Sequence, residues 1–299
     1  MTLWLQYFRN MILLEFQIFK LYLGFIFKYM KKLFFLFLLY FFVFFQVSAQ
    51  VKKRLPCIDK KFSVVVHIFR DSLGNLGVNE LDIKKNMDVV NKYFSKICVS
   101  FEVCEFRYID NFVFNQSTIS RDDYWKHVQQ LYNVKNRINL YYVTSIPSKT
   151  GGIGDTSGIC STDSLGIRVN KSTVKSKRAL VHEMGHYFGL KHTFVDTHTT
   201  ELADGSNSLT TGDGIEDTPA DPFVSSDLSQ MNTYINDDPK RLCEYIYNTM
   251  PYAVDAKGKY YAPLVGNIMS HYPEMCDCGF TDGQYLKMAE TYMSNPKMW

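Results

Sequence analysis

The body of this chain carries almost no net charge. The 299 residues have a formal charge of +3, but residues 1–49 hold five basic residues (Arg9, Lys20, Lys28, Lys31, Lys32) against the single acid Glu15, and without them 28 basic residues face 29 acidic ones. Such a near-neutral body gives no reason to expect nucleic-acid binding. A hydrophobic run of spanning length is also missing. Residues 1–45 are rich in Phe, Leu and Ile, yet Glu15, Lys20 and Lys28 interrupt them. The unbroken run from Leu33 to Phe45 is about 13 residues, short of the roughly 20 that a membrane-crossing helix needs. No cysteine directly follows Ala49, which argues against a lipoprotein anchor. Internal repeats and low-complexity linkers are absent as well, so the length suits one large domain.

What is present begins with an export signal. Met30-Lys31-Lys32 is a short basic start, the apolar run follows, and Val47-Ser48-Ala49 is a small-residue site of the kind signal peptidase cuts. This predicts cleavage after Ala49, with Met30 as the true start and residues 1–29 as an upstream over-extension. A membrane tether kept by residues 1–45 is the rival reading. Export places the protein outside the cell or in the periplasm. There the seven cysteines (Cys57, Cys98, Cys104, Cys160, Cys243, Cys276, Cys278) read as disulfides with one thiol left over.

The pattern beyond residue 49 alternates between types. After an irregular segment 50–61, Phe62–Phe69 is a β-branched apolar run and so a strand. Glu80–Phe94 places Ile83, Met87, Val90 and Phe94 at helical spacing. Val99–Ile109 alternates as a strand, Asp122–Tyr132 suits a short helix, and Ile138–Val143 is another strand. Gly151–Gly158 is expected as a loop or irregular edge, and Ile167–Val169 as a short strand. A helix from about Thr173 to Gly189 ends on a glycine. No strong periodicity follows from Thr193 to Val265, and unstructured stretches of that length are usually functional. Thr281 and Gln284 then have capping-box spacing before a last helix. The expectation is one α+β domain over residues 62–299.

The decisive stretch is His182-Glu-Met-Gly-His186-Tyr-Phe-Gly189-Leu-Lys-His192. Residues four apart share a helix face, so His182 and His186 can aim at one metal ion. Gly189 permits a sharp turn that brings His192 round as a third ligand. Three protein ligands leave a position open, as catalytic zinc requires, whereas a structural site is closed by four. Glu183 stands beside that position as general base. A zinc-holding protein without activity is the alternative, and it leaves Glu183 without a role.

This motif resembles that of the metzincin metallopeptidases. Asn267-Ile-Met-Ser-His271 resembles their Met-turn, with Met269 packing under the metal. Within the clan the chain looks most like the pappalysin family, on three segments: His182–Phe194, Gly212-Asp-Gly-Ile-Glu-Asp-Thr-Pro219, and Asn267 through Cys276 to Gln284. The resemblance implies a metzincin-like catalytic domain. Its upper subdomain would be a twisted mixed sheet with helices, and its lower subdomain mostly irregular, closed by a C-terminal helix. It implies an endopeptidase, expected as a monomer, that takes protein or peptide substrates extended along an edge strand near Gly151–Val169.

The family usually has a tyrosine two residues after the turn methionine, thought to steady the oxyanion. Here His271 stands there and Tyr272 comes one later; either, or neither, fills that role. Asp213, Asp217 and Thr218 are oxygen donors of the kind calcium favours, and similar proteins bind calcium near this element. The resemblance also implies a disulfide at Cys276, with Cys243 as the expected partner and Cys278 as its competitor. Cys98 and Cys104 are left to pair elsewhere or stay reduced. In similar proteins an N-terminal cysteine covers the zinc and holds the enzyme latent, which makes Cys57 a candidate for that role beside an ordinary disulfide.

Overall fold

The computed structural model describes residues 20, 28–37, 40, 54–116, 122–146, 158–160, 166–194, 200–223, 235–236, 238–246 and 254–295. The chain divides into two units, Met1–Arg54 and Leu55–Trp299. In the first, residues 28–37 are helical and exposed. The expected cleavage site at Ala49 lies outside the described residues, as do residues 151–157 of the glycine-rich segment. Among the described residues no helix is long and apolar enough to cross a membrane.

The second unit is built on a five-stranded sheet. In chain order its elements are β1 (Lys60–Phe69), α1 (Glu80–Phe94), β2 (Val99–Ile109), α2 (Phe112–Asn115), α3 (Asp122–Tyr132), β3 (Ile138–Val143), β4 (Gly158–Cys160), β5 (Ile167–Asn170), α4 (Ala179–Tyr187) and α5 (Asp282–Ser294). The strand order is β2-β1-β3-β5-β4. β1, β2, β3 and β5 run parallel, and the edge strand β4 pairs antiparallel with β5. This is the mixed sheet of an α+β domain that the sequence leads one to expect.

β1 and β3 are apolar almost throughout because both of their faces are covered. Side chains of period two separate the faces. Val64, Val66, Ile68, Leu140 and Tyr142 join the large core with α1, α4 and α5. Phe69, Tyr141 and Val143 pack with Trp125 and Val128 of α3 on the other side. Asn79 caps α1 by accepting from Leu81 N at 2.7 Å. The α1 residue Asn86 donates to the carbonyls of Val174 and Ser176, each at 2.7 Å, so α1 also positions the approach to α4. An aromatic cluster joins α1, β2 and the end of α4, with Phe94 5.1 Å from both Phe101 and Phe188.

Two expectations need correction here. Cys57 does not reach toward the histidines. It is bonded to Cys98, tying the segment before β1 to the start of β2, and a sulfur in a disulfide offers no thiolate for metal. The rule of one leftover thiol also fails among the described residues. Cys243–Cys276 is the second disulfide, and both Cys104 and Cys278 are free. Cys104 sits where the β1–β2 register shifts, and its thiol donates to Val64 O at 3.2 Å.

The described residues of the aperiodic stretch after Thr193 are held largely by side-chain bonds rather than by strand ladders. Asp255 accepts from the N–H groups of Ala203, Lys257 and Lys259 at 2.8–2.9 Å. Asp221 and Asn207 make similar local bonds. Such turns satisfy backbone groups without any repeat in the sequence. A third, small core of Phe194, Phe223, Ile235, Val265, Tyr272 and Cys276 lies under this region.

Candidate metal centre

The helix carrying the histidines is shorter at its start than its pattern predicts. Lys171–Thr173 is a single 3₁₀ turn capped by Asn170. Ser176 Oγ then accepts from Arg178 N and Ala179 N at 3.2 and 2.9 Å, so α4 begins only there. Arg178 turns inward. Its guanidinium donates to the carboxylate of Asp277 and to the carbonyls of Tyr272 and Asn267, and Glu274 accepts from Ser176 and Lys177 N. The start of α4 is thus locked to the segment that follows Met269.

The end of α4 is a Schellman turn, with Leu190 N bonded to Gly185 O at 3.0 Å and Gly189 N to His186 O at 2.9 Å. Gly189 has φ +88°, and a Cβ there would come within 2.4 Å of Thr291 Oγ1 on α5, so both backbone and space call for glycine.

This turn returns His192 to the helix face. The Nε2 atoms of His182, His186 and His192 form a triangle with sides of 3.0–3.1 Å. The second ring nitrogens decide what that triangle is. His182 Nδ1 lies 2.7 Å from Ile268 O, and His186 Nδ1 2.8 Å from Leu190 O. A carbonyl can only accept, so both Nδ1 atoms carry the proton and both Nε2 atoms point lone pairs inward. Burial, ahead of the neighbouring histidines, holds His182 far below the ordinary imidazole value and His192 down at about 2. Burial lowers His186 too, partly offset by Leu190 O. Lone pairs facing each other at 3 Å repel unless a cation lies between them. A zinc ion would be held by these three Nε2 atoms, and three protein ligands would leave a coordination position open. The donor set fits a zinc ion.

Met269 lies under this group, fully buried, and its Sδ is 2.6 Å from where a Cβ on Gly185 would be. Asn267 holds the turn by accepting from Met269 N at 2.8 Å, and its amide pairs reciprocally with that of Gln284 at 2.9 and 3.1 Å. Glu183 is buried on α4 beside His182.

The two oxyanion candidates go to different places. His271 joins the cluster, its ring 4.6 Å from that of His192 and 5.6 Å from that of His182. Tyr272 turns away into the small core, where its hydroxyl donates to Asp221 at 2.9 Å. Asp221 also accepts from Thr193 Oγ1 at 2.7 Å, and burial raises its carboxyl above the usual range. Thr193 directly follows His192, so Asp221 anchors the third histidine's loop to the Met-turn. Sequence reasoning missed Asp221, Arg178 and Asp277, since nothing local distinguishes them from surface charges.

The acidic loop is held by its own hydrogen bonds. Thr218 Oγ1 donates to Asp213 at 2.8 Å, Ile215 N to the same carboxylate at 3.0 Å, and Gly283 N to Asp217 at 2.8 Å. Burial pushes Asp213 up to about 6.

The model of metallo-peptidase family M12 matches residues 67–230, a span that contains His182, Glu183, His186 and His192. The chain belongs to that family. No curated protein matches it. Among solved structures, a mutant of promirolysin from Tannerella forsythia is similar with TM-score 0.51 at 14% identity, over 82% of this chain and 84% of that one. That likeness shows the fold, a metzincin-like catalytic domain. Archaemetzincin from Methanopyrus kandleri aligns over 44% of this chain and 76% of its own at 13% identity and TM-score 0.32. Metalloproteinase-II from Bacteroides fragilis aligns over 48% and 46% at 12% identity and TM-score 0.28. Membership of the M12 family implies a zinc metallopeptidase acting on peptides.

Proposed function

We propose that this protein is a secreted zinc endopeptidase of the pappalysin kind. The observation that carries the reading is the inward-facing Nε2 triangle with Glu183 on the same helix. His182, His186 and His192 hold the ion, their tautomers set by Ile268 O and Leu190 O. Zinc, when bound, supplies Lewis acidity that polarises a peptide carbonyl and makes water acidic near neutral pH. Glu183 takes the proton from the attacking water and passes it to the departing amine. His271, beside the triangle, donates toward the developing oxyanion. The substrate lies extended along β4, the edge strand among the described residues, pairing through its backbone.

The pappalysin assignment is supported by the order of the three motifs from His182 to Gln284. Residues 30–49 serve as the export signal, and two disulfides suit an oxidising compartment. Asp213, Asp217 and Thr218 hold calcium, supported by a buried Asp213 carboxylate with oxygen neighbours.

The test compares the purified secreted form with E183Q in casein cleavage, alongside zinc content. Glu183→Gln should keep one zinc per chain and lose activity by about 10²-fold or more. Unchanged cleavage by E183Q, or activity in metal-free protein, would overturn the reading.

A further inference from the structure

Arg178 caps the start of α4, and His182 follows it by four residues, so the two side chains lie on one face of the helix. Both reach the same loop. His182 Nδ1 donates to Ile268 O at 2.7 Å. Arg178 donates to the carbonyls at the two ends of that loop, Asn267 O at 3.3 Å and Tyr272 O, and also to the carboxylate of Asp277. One guanidinium thus ties the helix that carries His182 and His186 to both ends of the turn that supplies the Ile268 carbonyl.

The turn keeps its own shape by internal bonds. Asn267 Oδ1 accepts from Met269 N at 2.8 Å, and Ser270 Oγ donates to Asn267 O at 2.8 Å. Ile268 N donates to Gly279 O at 3.1 Å. These bonds leave open how far the turn stands from α4. Contact of Met269 with Gly185 resists closer approach, and Arg178 resists withdrawal. The Arg178 and Asp277 side chains are only 12% and 8% exposed. A guanidinium so buried is costly without its counter-charge, so Asp277 keeps it in place. Its planar fork serves three acceptors at once, which the single ammonium of a lysine does not reproduce.

We propose that Arg178 is a positioning residue for the metal: it holds Ile268 O against His182 Nδ1, and so keeps the proton on that nitrogen and the Nε2 lone pair turned to the ion. Asp277 acts through Arg178 as its counter-charge. This rests on the zinc reading of the histidine triangle. With the clamp released, Ile268 O draws back from the imidazole. Water then reaches Nδ1, the ring exchanges tautomers, and part of the population presents a protonated Nε2 that cannot bind metal.

The experiment compares wild type with R178M, R178K and C57A/C98A, the last destabilised through a disulfide that does not touch the metal centre. It reads zinc affinity by chelator competition and the His182 ring N–H by NMR, in zinc-free and zinc-loaded protein. R178M should bind zinc about tenfold or more weakly and lose the Nδ1–H signal to exchange with water. R178K should recover part of both, and C57A/C98A should keep wild-type affinity where it is folded. An intact ring N–H or unchanged affinity in R178M, or an equal loss of affinity in C57A/C98A, overturns this proposal and leaves the zinc reading intact. Absence of stoichiometric zinc in wild type overturns both. Should R178M not fold, R178K decides: wild-type values in both readings overturn the proposal.

Discussion

Gly185 and Met269 occupy one space between them: a Cβ on Gly185 would stand 2.6 Å from the Met269 sulfur. Gly185 is helical, so alanine there would ordinarily favour the helix by about 1 kcal/mol. The collision opposes this, because Met269 is fully buried and overpacking costs about 1–3 kcal/mol. We expect G185A to lower the melting temperature and weaken zinc binding, and M269A in the same chain to restore part of both. Thermal melts and zinc titrations of the three proteins check this. A more stable G185A would show that the turn yields easily.

Tyr272 separates support from chemistry. Its hydroxyl donates to the buried carboxylate of Asp221, a bond worth about 2 kcal/mol. Y272F should lose about that much stability by urea unfolding while its catalytic efficiency changes less than about threefold. Turnover slowed about a hundredfold, with stability unchanged, would instead put the hydroxyl on the oxyanion.

The disulfide Cys57–Cys98 closes a loop with a sequence separation of 41, for which chain entropy alone predicts about 4 kcal/mol. The double substitution C57A/C98A should therefore unfold at markedly lower denaturant. It should gain no peptidase activity, because neither sulfur covers the metal. Faster cleavage by the double variant at a temperature where both proteins stay folded would revive latency through Cys57.

Lys171 gives a pH signature of its own. Its amine is buried, donating to Phe69 O and to Asn115 Oδ1, the latter at 2.7 Å, and burial pushes its pKa down to about 8. The ordinary lysine value is about 10.4, so the folded chain gives up this proton before the unfolded chain does. The cost of the buried charge is fully present below pH 8 and is relieved as pH rises toward 10.4. Wild type should therefore gain up to about 3 kcal/mol relative to K171M across that interval. Urea unfolding of both proteins at pH 7.5, 8.5 and 9.5 measures the difference, and a constant difference would mean water reaches the amine.

Much of the fold is legible because its signals are local. The apolar spacing from Ile83 to Phe94 and the alternation from Val99 to Phe106 place α1 and β2 at their observed ends. Thr281 and Gln284 form the capping box their spacing announces. The start of α4 departs from its pattern because residues 174–178 are helix-compatible, while tertiary bonds to Glu274 and Asp277 hold them otherwise. β4 is hidden because three residues carry too little pattern, and its strand form comes from pairing with β5.

The chain alone determined that two imidazoles share a helix face and that a glycine bend follows them, since both depend on backbone geometry within eleven residues. Only the tertiary structure decided which nitrogens carry protons, because the carbonyl facing His182 belongs to Ile268, 86 positions away. It also decided that His271 faces the triangle while Tyr272 faces Asp221, and that Cys57 finds Cys98. Contacts between segments so far apart are set by how the cores pack, and packing leaves no period in a sequence from which the partners could be read.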